Sequence, residues 1–128
     1  MFTRLGKRGW RSIKGPRVAT GTSSTDATLG PLIERHPRFP KRVNTGFLEI
    51  VSRGEVRLRV YERGAGETLS CGTGACAAVA VAGRRGWLDG RVRVSVRGGE
   101  LRVNWGGVGE HIWLTGPVQV SFQGQVEV

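Results

Sequence analysis

The segment Ala75-Cys76-Ala77-Ala78-Val79-Ala80-Val81-Ala82 carries no polar side chain on any helical face. A helix that is apolar all round must be covered by other elements, so this stretch predicts a buried helix with sheet folded about it, ending near Gly83 or Gly86. It is entered through Cys71-Gly72-Thr73-Gly74, a small-residue loop that opens directly onto the helix. The first-turn amides and the positive end of the helix favour a thiolate there, which predicts that the Cys71 thiol ionises below the free value of about 8.5. The same amides suit a carboxylate or a developing oxyanion.

Strand patterns surround this helix. Val56, Leu58 and Val60 alternate with Glu55, Arg57 and Arg59, after a Ser52-Arg53-Gly54 turn that follows the apolar run Phe47 to Val51. This predicts a hairpin with one wet face. Val92, Val94 and Val96 alternate with Arg91, Arg93 and Arg97, and Leu101, Val103 and Trp105 with Arg102 and Asn104; His111 to Thr115 and Val118 to Phe122 complete the set. Gly98-Gly99, Gly106-Gly107 and Gly116-Pro117 mark the turns. The expected class is α+β, a curved antiparallel sheet wrapped around a central helix.

The front of the chain reads differently. Residues 1–42 hold ten Lys/Arg against Asp26 and Glu34, whereas residues 43–128 hold ten against eight acids. The formal charge of +10 therefore sits mainly in the first 42 residues. Residues 1–27 show no helical or strand period and read as a flexible basic leader. Gly30 to His36 reads as a short connecting helix with Pro31 at its first position, stopped by Pro37. A length of 128 residues fits one domain. No apolar run approaches the roughly 20 residues of a membrane span, and no signal peptide is evident, so a cytoplasmic location is expected. Cys71 and Cys76 are too close for a disulfide framework, and His36 and His111 offer no zinc spacing, so both thiols are expected reduced and no metal is expected.

Arg59-Val60-Tyr61-Glu62-Arg63-Gly64-Ala65-Gly66-Glu67-Thr68 followed by Cys71-Gly72-Thr73-Gly74-Ala75-Cys76-Ala77 resembles the second catalytic-cysteine signature of the diaminopimelate epimerases. Arg42-Val43-Asn44-Thr45-Gly46-Phe47 resembles that family's substrate-binding asparagine segment, and Leu29 to Pro40 the helix ahead of it. The resemblance spans residues 28–128, with 1–27 unrelated to it. It implies one half of a two-domain fold, each domain a sheet around a central helix, with one cysteine from each facing across a cleft. It further implies a cofactor-free isomerase that interconverts LL- and meso-diaminopimelate, a lysine and cell-wall precursor: one thiolate removes the α-proton while the opposing thiol protonates the other face.

By that resemblance Cys71 is the second acid/base cysteine, Gly72 and Thr73 hold the substrate carboxylate, Glu62 and Arg63 contact the distal, amino-acid end of the substrate, and Asn44 is a further substrate contact. Cys76 is expected to be packing, Glu67 and Thr68 to brace the loop, the two histidines to be ordinary surface or core residues, and Trp87, Trp105 and Trp113 to be core. A small-molecule amino acid is the expected partner, with a homodimer implied by the family. The first domain and its opposing cysteine are absent from these 128 residues, which suggests a gene fragment or frameshifted start, family sequence resuming near Ala27 or Thr28, and an exposed face. Three alternatives stand beside this reading: a proline racemase-like enzyme, an inactive fragment, and a small basic nucleic-acid-binding protein using the leader cations.

Overall fold

Alternation of apolar and charged residues at period two sets the sheet. The computed structural model describes residues 2–5 and 24–127. Its elements are β1 (Phe2–Leu5), α1 (Ser24–Glu34), β2 (Thr45–Ser52), β3 (Glu55–Glu62), β4 (Gly66–Thr68), α2 (Gly72–Arg84), β5 (Arg91–Val96), β6 (Gly99–Trp105) and β7 (Ile112–Thr115). β2 and β3 form the expected hairpin, with Gly46 opposite Val60, Leu48 opposite Leu58 and Ile50 opposite Val56. β5, β6 and β7 follow as an antiparallel set in which Val92, Val103 and Leu114 lie side by side.

The sheet runs β1-β2-β3-β5-β6-β7, with β4 attached to β3. The α+β class and the central helix hold; the sheet, however, is mixed rather than antiparallel. β1 lies parallel to β2, and β3 parallel to β5. The second parallel pair follows from connectivity: β3 and β5 are joined through α2, and a helical crossover returns the chain in the same direction. β3 is forked. Its first residues, Glu55 to Arg57, pair with β5, and its last, Val60 to Glu62, pair with β4.

α2 packs against β2, β3, β6 and β7. Ala75, Ala78, Val79 and Ala82 are buried with Leu48, Val56, Leu58, Val60, Leu88, Val92, Val94 and Val103 in one core. The helix is not enclosed on every side, because Ala77 and Val81 remain exposed. A second, smaller cluster joins Ile33, Leu29, Phe39 and Val43 to Phe47 and Tyr61. α1 thus covers the outer face of the hairpin's β2 start, and the face expected to be wet is dry there.

Several expectations need correction. The helix expected over Gly30–His36 is an 11-residue helix, Ser24–Glu34, and Pro31 falls in its last turn, not its first. Helix interiors disfavour proline because its ring displaces the preceding turn and it has no N–H to donate, and here the helix stops three residues later. Within the segment expected to lack strand period, Phe2–Leu5 forms a strand; residues 6–23 of that leader lie outside the described residues. Val118 to Phe122 is not a strand: these residues have no ladder partner, and Val118, Val120 and Phe122 are 96, 72 and 87% exposed. Alternation permits a strand only where a neighbouring edge accepts it. Trp113, expected in the core, is 67% exposed, since its register opposite Asn104 aims it away from α2. Among the described residues no helix is long and apolar enough to cross a membrane.

Candidate functional site

Cys71 is the N-cap of α2, with extended backbone angles (φ −141°, ψ 107°). Its carbonyl accepts the N–H of Ala75 at 2.9 Å, closing the first turn, while its sulfur accepts the N–H of Gly74 at 3.4 Å and lies 3.5 Å from the Thr73 hydroxyl. A thiol seldom takes the capping place that Ser, Thr, Asp or Asn usually fills. Here an amide N–H and the positive end of a 13-residue helix both face the sulfur. The residue is 8% exposed. Gly74 leaves the room required: a Cβ there would stand 3.2 Å from the Cys71 sulfur and 3.3 Å from Val60 Cγ1.

Gly72 and Thr73 supply first-turn N–H groups that have no partner among the described residues. Leu114 of β7 overlies this start, its Cδ2 2.8 Å from where a Gly72 Cβ would be. Cys76, one turn further along the helix, differs chemically. Burial pushes its thiol above the ordinary range, and the neighbouring Cys71 adds to the effect. The two thiols are free.

A second cluster forms at the tip of the β3–β4 turn. Asn44 Oδ1 accepts the Arg63 N–H at 2.8 Å, and Arg63 Nη1 donates to the Lys41 carbonyl at 3.1 Å. The turn closes by Ala65 N–H to the Glu62 carbonyl at 3.1 Å. Gly64 and Gly66 take φ of +78° and +79°, values that favour glycine. Glu62 is oriented by the Thr68 hydroxyl, which donates to its Oε1 at 2.6 Å. Asn44, Glu62 and Arg63 are therefore brought together, and Cys71, Gly72 and Thr73 form a separate group. Thr68, three residues ahead of Cys71 and hydrogen-bonded to Glu62, joins the two.

The joining segment is braced by Glu67. Its Oε1 accepts from Arg59 Nε at 2.9 Å and Nη2 at 2.6 Å, and its Oε2 lies 2.9 Å from Arg97 Nη1. Burial alone would raise this carboxyl; the hydrogen bonds and charges of Arg59 and Arg97 outweigh it and hold the group below its ordinary value. Gly98 N–H to the Leu69 carbonyl at 2.8 Å adds a backbone tie from the β5–β6 turn. Together these contacts cross the fork between β4 and β5.

Sequence reading missed Glu34. Its carboxylate accepts the Gly64 N–H at 2.9 Å and lies 3.5 Å from Arg42 Nη1. One signal was available: an acid at the C-terminal end of a helix opposes the helix dipole and so requires a partner from elsewhere. Leu114 gave no local signal, because only strand register brings it over Gly72. His36 and His111 are exposed, each edge-on to an aromatic ring, Phe39 and Trp113 respectively.

The family model described as diaminopimelate epimerase matches residues 18–121. The chain belongs to the diaminopimelate epimerase family. Curated relatives bearing that name include proteins of Chromobacterium violaceum, 52% identical over 124 residues, and of Acidovorax ebreus, 61% identical over 103 residues. The first alignment covers 94% of this chain and 45% of the relative, the second 80% and 35%. The chain thus spans less than half the length of these epimerases. The family match starts at residue 18 and α1 at Ser24, both ahead of the residue-28 boundary drawn from the resemblance. Among solved structures, a PhzF-family phenazine biosynthesis protein of Bacillus anthracis aligns with a TM-score of 0.52 at 16% identity, covering 80% of this chain and 36% of that one. A phenazine biosynthesis PhzC/PhzF protein of Clostridium difficile gives 0.51 at 16%, covering 69% and 31%. These likenesses concern the fold.

Proposed function

We propose that this chain provides one proton-transfer half of a diaminopimelate epimerase site. Cys71, as thiolate, takes the α-proton of the amino acid; the electron pair left on the carbon spreads into the adjacent carboxylate, and a second thiol on the other face returns a proton. The substrate is isomerised, and the two sulfurs exchange protonation states. No oxidant, reductant or cofactor enters this balance. The obstacle is the weak acidity of the α-carbon, which preorganised donors at the carboxylate reduce. Gly72 and Thr73 N–H are the donors, and Asn44, Glu62 and Arg63 contact the amino-acid end.

The observation that carries this reading is the sulfur of Cys71 capping α2 beside two unpartnered N–H groups, in a chain of this family. The opposing thiol belongs to the part of the family fold that this chain does not span. Exposed Leu69 and Leu114, flanking the Cys71–Gly72 step, are its apolar contacts. Covering them removes water from the sulfur and restores the two-sided positioning on which inversion depends. The protein works in the cytosol, where both thiols stay reduced.

The test is epimerisation of diaminopimelate in deuterated water. The chain alone is expected to invert substrate negligibly, whereas the chain mixed with a complementary half bearing the opposing cysteine inverts it and incorporates deuterium at the α-carbon. Cys71→Ser in that mixture abolishes inversion; a mixture that remains active with this substitution refutes the proposal.

A further inference from the structure

Glu34 ends α1 with 3% of its surface exposed. A carboxylate so buried is expensive unless paired, and its place at a helix C-terminus adds an unfavourable dipole interaction. Its partner Arg42 is the only non-glycine described with positive φ, at 60°, a conformation that is costly for a residue with a Cβ to hold without outside support. Two local costs therefore converge on one contact. An apolar residue would have served packing better, since Ile33 beside Glu34 already anchors the helix to Phe47.

The contact is made with the backbone of the substrate-facing turn. In an unassisted hairpin turn the two central amides face water. Here the Arg63 N–H goes to Asn44 Oδ1 and the Gly64 N–H to Glu34 Oε1, at 2.8 and 2.9 Å. Both acceptors come from the segment 34–44, outside the hairpin. Glu62 precedes these amides directly, and the direction of the Glu62 and Arg63 side chains follows from the φ and ψ they enforce.

We infer that Glu34 is a positioning residue: by accepting the Gly64 N–H it sets the conformation of the turn and so aims Glu62 and Arg63 at the amino-acid end of the substrate. The inference rests on the reading of those two side chains as substrate contacts. Asn44 holds the preceding amide, and Arg42, 3.5 Å from the Glu34 carboxylate, holds that carboxylate in place.

The test uses the isotope-labelled chain, titrated with meso-diaminopimelate and read at the Arg63 and Gly64 amides by NMR. Glu34→Ala is expected to weaken binding about tenfold or more, the loss associated with one charge-assisted hydrogen bond. Glu34→Gln, which keeps an oxygen for the Gly64 N–H, is expected to stay within about threefold of wild type. Amides of the α2 core should be unshifted in both. Binding by Glu34→Ala equal to wild type, or Glu34→Gln as weak as Glu34→Ala, overturns the inference. Should Glu34→Ala fail to fold, Glu34→Asp replaces it, its shorter side chain being unable to reach Gly64 from the same backbone, with the same two outcomes. Wild-type protein that does not bind diaminopimelate counts against the proposed function alone. Glu34 is then judged by hydrogen exchange at Arg63, an amide it does not touch: faster exchange in Glu34→Ala supports the positioning role, and unchanged exchange overturns it.

Discussion

Replacing Glu67 by alanine tests how firmly the thiol-bearing segment is held. The carboxylate takes two donors from Arg59 and one from Arg97. Side-chain exposure is 18% for Glu67, 27% for Arg59 and 53% for Arg97, so the two arms differ in worth. A sheltered hydrogen bond to a charged group contributes about 1.5 kcal/mol at the low end of its range, and the open Arg97 arm adds about 0.5 kcal/mol at most after screening. Loss of roughly 2 kcal/mol follows, which for a domain of this size lowers the melting temperature by about 8 °C. Glu67→Gln keeps an oxygen acceptor but no charge, and about half that loss is expected. The measurement is thermal unfolding of both variants at pH 7, with iodoacetamide labelling of Cys71 in a Cys76→Ser background. Labelling should accelerate in Glu67→Ala as the Leu69–Cys71 stretch loosens.

The pH dependence of this brace has a definite direction. The folded carboxyl lies below its unfolded value of 4.5, so its stabilisation is complete above that value and disappears as pH falls through the folded pKa. The gap between wild type and Glu67→Gln is therefore expected at pH 7 and should close on acidification below about pH 4.5. A melting temperature within about 1 °C of wild type in Glu67→Ala at pH 7, or a gap that widens in acid, refutes the reasoning.

Gly30→Ala is expected to destabilise by about 2–3 kcal/mol, because the new methyl would stand 3.0 Å from Tyr61 Cβ and still nearer to its ring, and an atom rooted on β3 cannot withdraw cheaply; urea unfolding measures it, and an unchanged midpoint refutes it. Thr45 Oγ1 is buried without a partner among the described residues, so Thr45→Val should raise stability by about 1 kcal/mol in the same assay, and any loss contradicts the assignment. Gly72→Ala should leave Cys71 labelling nearly unchanged, since the end of the exposed Leu114 side chain can swing aside, whereas Gly74→Ala presses on the Cys71 sulfur itself and should alter its labelling rate at least about twofold. Equal behaviour of these two glycine variants refutes the crowding argument.

The parts of the fold written locally in the chain were legible there. β2, β3, β5 and β6 each lay one face on the core they share with α2, so period-two alternation exposed them, and the unbroken small residues of Ala75–Ala82 exposed the helix. The place of Cys71 at the opening of α2 was legible for the same reason, lying where glycine and threonine begin a helix; that its own sulfur caps the helix was not, Thr73 being the residue type that usually does so. What escaped was set by distant contacts. α1 owes its extra turns to Leu29 and Ile33 resting on Phe47 and Tyr61, while Thr25, Asp26 and Thr28 give only a weak helical signal. Three-residue β4 is too short to show a period. Glu34 acquires its role from a turn 30 positions away. Val118–Phe122 failed in the other direction, having the alternation of a strand without an edge to join.

The fork in β3 accounts for why the two halves of the candidate site meet. β5 occupies one side of β3 along Glu55–Arg57, and β4 takes the same side along Val60–Glu62. Chain leaving β4 must therefore pass the gap before it can return as β5, and the helix that makes this crossover begins there, with Cys71 three residues beyond Thr68. A sheet edge divided in this way would open under its own twist. Glu67 prevents it by linking Arg59, at the base of the gap, to Arg97 on the β5–β6 turn, and the Gly98–Leu69 backbone bond closes the far side. The charged residues around the signature cysteine thus separate into two kinds. Glu62 and Arg63 stand at the tip of the β3–β4 turn, bonded to Thr68 and to the Lys41 carbonyl, while Arg59, Glu67 and Arg97 are spent on one another. Arg97→Ala, which leaves the Arg59–Glu67 pair in place, should therefore cost about 0.5 kcal/mol against roughly 2 kcal/mol for Glu67→Ala; equal losses in the two variants would show that Arg97, and not Arg59, carries the brace.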